Sequence, residues 1–290
     1  MITFRKLRES LEPFYIVCPF LVLWLVFIFL PGFLNIGLSL FKTNLFVWKF
    51  VGLQNYKRLI SDPLFWRALA NSVKYLIVVP FLQLASLTLA VGIYKFRRFG
   101  RTLMVIYYLP VITSVVVLGA LFKYIFADYG LLNSVLSTFL SFKVGWLSDP
   151  RLALYSVMFV TFIKGLGYYT VIYYSSLLGL PKDVLESAYL DGANGTTLLF
   201  KFIVPMIAPT VLFCTLISTL SALKVFGEVY VMTDGGPAGS TTTLMFYIYK
   251  RGFCELELGY SATLSVVLTL VSLLLSSLLF RMYYSKKYSF

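Results

Sequence analysis

The chain contains no histidine among its 290 residues. Without an imidazole, a Ser-His-Asp or Cys-His catalytic centre and a histidine-ligated metal site are both excluded. Cysteine is scarce as well: Cys18, Cys214 and Cys254 lie far apart and form none of the short spacings typical of metal or redox motifs. We interpret them as apolar packing residues. The sequence therefore predicts no catalytic residue, no metal site and no cofactor held by this chain.

Charge is also in short supply, at 13% of residues against 59% hydrophobic. That is roughly half the charged fraction of an ordinary soluble domain, too little to cover a water-exposed surface. Among the charges, 25 Lys and Arg outnumber 12 Asp and Glu. The basic residues flank long apolar runs, a distribution typical of membrane topology rather than of nucleic-acid binding. We therefore predict an integral membrane protein with no nucleic-acid partner.

Six apolar stretches are long enough to cross a bilayer core of about 30 Å, which needs about 20 helical residues. Backbone groups in lipid must bond within their own segment, so each span should be a helix. The first stretch is too long for the apolar region of a secretion signal. We expect one transmembrane domain over residues 1–290, an all-α bundle with spans near 14–40, 70–94, 102–126, 152–178, 199–223 and 260–281.

Orientation follows from the basic clusters in short connections, which favour the cytoplasmic side. The longer segments also hold many cations, but such segments translocate largely regardless of charge. Placing the N-terminus inside brings all three clusters to the cytoplasm, and six spans return the C-terminus to the same side. The clusters comprise Arg5, Lys6 and Arg8; Lys95, Arg97, Arg98 and Arg101; and Arg281, Lys286 and Lys287.

Segment 179–198, which joins the fourth and fifth spans, has the features of a short amphipathic helix on the inner membrane surface. Pro181 suits a first helical position, and Asp183 and Glu186 complement the helix dipole. Apolar positions recur at helical spacing on one face. Gly192 and Gly195 then supply a stop.

The chain lacks the usual means of driving transport. It has no G-x-x-x-x-G-K-[ST] phosphate loop, and its acidic residues fall in loops or near helix ends rather than forming an intramembrane proton relay. Active transport would therefore need energy from another polypeptide. A self-sufficient secondary transporter or channel driven by an ion gradient is the alternative. An intramembrane enzyme is disfavoured because histidine and a close pair of intramembrane carboxylates are both missing.

Segment 179–198 also begins a motif of fixed spacing. The motif comprises Glu186, Ser187 and Ala188, then Asp191, Gly192 and Ala193, and downstream Pro205 and Pro209. This pattern resembles the EAA motif of inner-membrane permease subunits of binding-protein-dependent ABC importers, with serine in place of the usual first alanine.

Three further segments are similar to the carbohydrate-uptake branch of that family, the maltose and glycerol-3-phosphate type permeases. They are residues 50–56, 65–72 and 233–241. The resemblance covers nearly the whole chain and implies the fold of a type I importer permease with six spans. It also implies that the chain forms part of a pathway for a sugar, an oligosaccharide or a related solute, in the cytoplasmic membrane.

The resemblance further implies a mechanism, because in this family the short cytoplasmic helix docks into a groove of an ATPase subunit. The residues expected to couple this chain to the ATPase are Glu186, Ser187, Ala188, Asp191, Gly192, Ala193 and Pro205. The implied partners are a second, homologous permease, two ATPase subunits that bind ATP and magnesium, and an external solute-binding protein. The chain itself would hold no cofactor.

Two other sets of residues are candidate contacts, each with a structural alternative. The first set, in the fourth span, could line the solute pathway, or could pair within the bundle and anchor at the interface; it comprises Lys164, Tyr168, Tyr169 and Tyr173. The second set could dock the binding protein or be a plain turn; it comprises Thr233, Asp234, Gly235, Gly236 and Pro237.

Overall fold

The computed structural model describes residues 17–43, 46–95, 97–139 and 142–287, and most of them are helical. The helices are α1 (Val17–Leu38), α2 (Gln54–Ile60), α3 (Pro63–Tyr75), α4 (Val78–Lys95), α5 (Arg97–Ile112), α6 (Val115–Ile125), α7 (Leu131–Leu136), α8 (Ala153–Leu178), α9 (Lys182–Leu190), α10 (Gly195–Met206), α11 (Ala208–Leu223), α12 (Gly227–Met232), α13 (Leu244–Tyr249) and α14 (Leu258–Lys287). Strands β1 (Phe41–Thr43) and β2 (Trp48–Phe50) form one antiparallel pair.

Within the described residues, five helices are long and apolar enough to cross a membrane, and a bent pair adds a sixth candidate. The five are Val17–Leu38, Pro63–Tyr94, Ala153–Leu178, Ala208–Met232 and Leu258–Tyr283, and the bent pair is Thr102–Ile112 with Val115–Ile125. This architecture confirms the predicted all-α membrane fold. The first residues of the expected 14–40 span and the basic triplet at 5–8 lie outside the described residues.

The third expected span, 102–126, is not straight: its two helical halves meet at an angle of 97°. Pro110 in the last turn of α5 has no N–H to donate, which weakens the helix there. Ser114 then starts a new helix, because its Oγ accepts a hydrogen bond from the Val116 amide at 3.3 Å. The break between α5 and α6 therefore has a local cause in the sequence.

Two span boundaries also differ from expectation. The helix expected from residue 70 begins at Pro63, because α3 buries Phe65 and Ala68 before the uninterrupted apolar run starts. The span expected over 199–223 is divided at Ile207, whose φ of −99° and ψ of 17° lie outside the helix. Pro209 occupies one of the first two positions of α11, where a missing N–H costs nothing.

The chain clusters into two compact units, and each has its own internal bonds. The first unit comprises residues 1–62 and 248–269. Within it, the Asn55 amide donates to the carbonyl oxygens of Ser39 and Phe41, both at 2.9 Å. Arg58 donates to both carboxylate oxygens of Glu257, at 3.0 and 2.8 Å, and this bonding raises the pKa of Arg58. The prediction of one functional transmembrane domain stays a prediction.

The second unit, residues 63–247 and 270–290, contains a core in which α4 packs along α8. A close approach in this core depends on glycine: a Cβ added at Gly167 of α8 would collide with the backbone carbonyl of Tyr107 in α5. A hydroxyl pair also links the spans Pro63–Tyr94 and Ala153–Leu178, since buried Tyr75 and partly buried Thr161 share a hydrogen bond of 2.5 Å. These contacts fix the frame that carries α9 and the 233–243 loop.

Candidate functional site

The coupling residues expected from the motif lie in and just after helix α9. Asp183 lies in its first turn, where the positive end of the helix dipole favours an anion. The Ser187 hydroxyl donates to the Asp183 carbonyl oxygen at 2.8 Å, so it is satisfied within the helix. Glu186 is exposed and lies on the same short helix. The segment therefore forms a compact rod of nine residues rather than an irregular loop.

The Asp-Gly-Ala part of the motif ends α9 in a Schellman motif. The Ala193 amide donates to the Ala188 carbonyl oxygen at 2.9 Å, which is the bond that defines this cap. Between these residues Gly192 adopts φ +81°, in the left-handed region. A side chain at that position would cost about 1–2 kcal/mol, so the backbone itself requires glycine. The motif thus encodes a sharp and fixed helix end.

Burial divides α9 and its cap into two faces. Ala188 and Ala193 are only 2% and 7% exposed and belong to one apolar cluster of the second unit. Other members of this cluster are Leu177, Leu198, Ile203 and Ile207. On the remaining surface, Glu186 is exposed together with the apolar side chains of Val184 and Leu190, the latter 89% exposed. The segment is therefore anchored by alanines and presents a mixed acidic and apolar surface.

Pro205 lies near the end of α10, in the connection from α9 to α11. A π-helical stretch, Leu198–Ile203, precedes it. Proline has no amide hydrogen to continue the regular ladder, and its ring crowds the carbonyl group one turn earlier, so Pro205 accounts for the wide turn before it, whereas the break at Ile207 lies just before Pro209. The connection between α9 and α11 is thus interrupted at a defined residue, Ile207.

Of the four candidate solute contacts in α8, Tyr173 is fully buried in a hydrogen-bonded polar cluster. Its hydroxyl donates to Gln83 Oε1 at 2.6 Å, and Gln83 Nε2 donates to Ser218 Oγ at 2.8 Å and to the Cys214 carbonyl oxygen at 3.3 Å. This polar cluster links α4, α8 and α11. Sequence reasoning missed Gln83, although an amide in an apolar span is itself a signal.

The other three candidates differ in exposure. Tyr169 is 5% exposed and packs edge to face on Tyr168, with ring centroids 5.1 Å apart. Tyr168 is 39% exposed, and Lys164, one helical turn earlier, is partly exposed. Lys164 and Tyr168 therefore share an accessible face of α8, whereas Tyr169 and Tyr173 lie inside the unit.

The five candidate docking residues come together in a tightly bonded turn. Thr233 and Thr241 share a hydrogen bond of 2.8 Å between their hydroxyls, and Thr241 also donates to the Gly236 carbonyl oxygen at 2.7 Å. Thr242 donates to the Gly235 carbonyl oxygen at 3.1 Å. Gly235 has φ +79°, and an added Cβ would lie 2.6 Å from the Phe246 ring. The threonines that follow the glycines therefore hold this loop in one shape.

Near the start of this loop Asp234 is exposed with φ +50°, and the peptide bond before Pro237 is cis. The loop is also fastened to α3. Arg67 Nη1 donates to the Ala238 carbonyl oxygen at 2.9 Å, and Asn71 Nδ2 donates to the Thr242 carbonyl oxygen at 3.0 Å. One residue further, Ser72 Oγ accepts from the Leu244 amide at 2.8 Å. The sequence of segment 65–72 indicates only a resemblance, from which this fastening role does not follow.

Comparison with known proteins supports the resemblance. Residues 84–287 match the family described as binding-protein-dependent transport system inner membrane component. The probable ABC transporter permease protein YurN of Bacillus subtilis is 32% identical over 280 residues, covering 93% of this chain and 94% of that protein. The lactose transport system permease protein LacF of Rhizobium radiobacter is 33% identical over 286 residues, covering 94% of this chain and 96% of that protein.

Among solved structures, a chain of a bacterial ABC transporter involved in the import of the acidic polysaccharide alginate has the same fold. The TM-score is 0.84 at 20% sequence identity, and the match covers 100% of both chains. The predicted type I permease fold is therefore confirmed. The family match argues against the alternative of a self-sufficient secondary transporter or channel. The chain belongs to the family of binding-protein-dependent transport system inner membrane components, and it is a permease subunit of an ABC importer.

Proposed function

We propose that this permease subunit forms part of the pathway for a sugar or oligosaccharide and is moved by partner ATPase subunits through helix α9. The observation that carries the proposal is the two-sided surface of that helix. Buried Ala188, together with Ala193 in the cap, attaches it to the second unit, while Glu186, Val184 and Leu190 are exposed. A partner groove that binds this acidic and apolar helix would thus be rigidly connected to the spans.

The proposed orientation follows from the charge distribution. With both termini in the cytoplasm, α9 faces the ATPases and the 233–243 loop faces the outside. The assembly would contain this chain, a second homologous permease, two ATPase subunits and an external solute-binding protein. ATP and magnesium would bind to the ATPases, and this chain would hold no cofactor and carry out no hydrolysis.

The carbohydrate class of the solute rests on relatives such as the lactose permease protein LacF. Within the chain, the accessible face of α8 with Lys164 and Tyr168 is the proposed contact for a passing solute, because an intramembrane cation is costly unless it faces water or a partner. The rigid loop that contains the exposed Asp234 is the proposed docking element for the binding protein. A loop already fixed by its own hydrogen bonds loses little conformational freedom on docking.

The test is a charge reversal in the assembled transporter. Glu186→Lys should leave the chain inserted and assembled but uncouple ATP hydrolysis from solute uptake in proteoliposomes. Asp128→Lys, the same change at an exposed acid outside α9, is the control and should leave the ratio of uptake to hydrolysis unchanged. Unchanged coupling in Glu186→Lys would count against the proposed role of α9. Uptake by this chain alone, with no ATPase present, would refute the whole proposal.

A further inference from the structure

One cavity of the second unit carries charge of a single sign, and the coupling mechanism does not use it. It measures about 470 Å³ and lies between α3, the start of α8 and the 233–243 loop. The residues that line it include three cations, Arg67, Lys74 and Arg151, and no Asp or Glu. Its volume falls within the range of roughly 300–1,000 Å³ that is usual for small-molecule sites.

The cations are directed to the cavity by regular structure. Arg67, Asn71 and Lys74 follow one another at intervals of four and three residues, so they share one face of α3. Arg67 is held in place by its bond to the Ala238 carbonyl oxygen. Arg151 comes from the turn before α8, where its backbone amide donates to Asp149 Oδ1 at 2.7 Å. This carboxylate serves the turn and is not among the lining residues.

Two lining groups add binding capacity beyond charge. Ser240 Oγ is buried and forms no hydrogen bond with any residue that the structure describes. A buried hydroxyl without a partner is costly, so a rotation about the Cα–Cβ bond that brought it to a ligand acceptor in the cavity would be favoured. Tyr155 lines the same cavity and is 52% exposed, which leaves its ring accessible to a sugar face. The set of cations, hydroxyl and ring matches an acidic carbohydrate better than a bare ion.

The depth of the cavity fits an entry site. In the proposed orientation the cytoplasmic end of span Pro63–Tyr94 is at Tyr94. Counting about 20 helical residues back from it, the length that crosses a bilayer core, reaches Lys74. Lys74 would then lie at the outer boundary of the hydrocarbon, and Arg67 beyond it. Three cations at that depth stay hydrated when no solute is bound in the cavity, and they contact a solute before it enters the spans.

We propose that this cavity binds the anionic group of a sugar acid or sugar phosphate, through Lys74, Arg151 and the Ser240 hydroxyl, as the solute enters the pathway. The inference rests on the proposed function and specifies its solute class. Arg67 contributes charge while it fastens the loop, and Tyr155 contributes a stacking surface. A neutral sugar would leave three like charges without a counter-ion and would bind more weakly.

The test is a comparison of matched probes on the full-length chain in phosphatidylcholine nanodiscs. Glucuronate and glucose differ at one carbon, and we expect glucuronate to bind at least tenfold more tightly at low salt. The double variant Lys74→Gln/Arg151→Gln should abolish this preference. Among the described residues neither side chain forms a hydrogen bond or ion pair, so the variant should fold. Lys143→Gln, which removes a cation that lies over the Tyr129 ring outside the cavity, should keep the preference.

A separate variant tests the ring. Tyr155→Leu should weaken glucuronate and glucose equally and leave their ratio unchanged. Equal binding of the two probes by the wild type would overturn the proposal. The proposal would also be overturned if Lys74→Gln/Arg151→Gln kept the glucuronate preference but lost binding to the external binding protein or to phosphatidylglycerol vesicles. ATPase-dependent uptake by the assembled wild-type transporter is measured in parallel, because it would show that the proposed function stands even if the cavity fails this test.

Discussion

Replacing Gly192 by alanine perturbs the helix cap at a single backbone conformation. The residue has φ +81° and no atom within 4 Å of an added Cβ, so the penalty comes from the left-handed conformation alone. That penalty is about 1–2 kcal/mol, which corresponds to a factor of roughly 5–30 in the local opening equilibrium. The bond most directly affected runs from the Ala193 amide to the Ala188 carbonyl oxygen.

Hydrogen exchange followed by mass spectrometry measures this opening. In Gly192→Ala we expect the Ala193 amide to exchange about 5–30 times faster than in the wild type, and uptake per ATP hydrolysed to fall in the assembled transporter. Gly179→Ala is the matched control, because Gly179 has an ordinary helical conformation and its added Cβ would lie 3.5 Å from the nearest atom. Equal exchange in both variants would refute the assignment of this cap.

Two further substitutions test the frame that carries α9. Tyr173→Phe should lower the free energy of unfolding by about 1–3 kcal/mol, because it leaves buried Gln83 Oε1 without its donor. An unchanged thermal unfolding midpoint would contradict the proposed contribution of this hydrogen-bonded polar cluster to stability. Gly167→Ala should cost about 1–3 kcal/mol or more, since its Cβ would collide with the Tyr107 carbonyl. Gly92→Ala, where no atom lies within 4 Å, should cost nothing in the same unfolding assay.

Features with local causes could be predicted from the sequence. The apolar runs specified membrane helices, and the Asp191-Gly192-Ala193 turn specified where α9 ends, because a left-handed residue after a helix requires glycine. The broken third span also had local signals, Pro110 and Ser114, but its hydropathy alone indicated a continuous helix. The length and apolarity of this stretch therefore do not predict the bend.

Features that depend on distant contacts could not be predicted. Tyr173 has the sequence context of an interfacial or pathway residue, yet its partner Gln83 is 90 positions away. The docking candidate at Asp234 has the sequence of a Gly-rich turn, and the threonines after it and Asn71 in α3 fix its shape. Sequence spacing reports which residues share a helix face, whereas these outcomes depend on how helices far apart in the chain pack.

The contact between α9 and an ATPase subunit can be measured by site-specific crosslinking in the assembled transporter. Cysteine at Leu190, the exposed end of α9, should crosslink to an ATPase subunit, whereas cysteine at Tyr129, which is 87% exposed in another loop, should not. Cys18 and Cys254 are exposed and would first be replaced by serine. A crosslink from position 190 alone is the result we expect. Labelling of position 190 by a membrane-impermeant reagent from outside the cell would contradict the account.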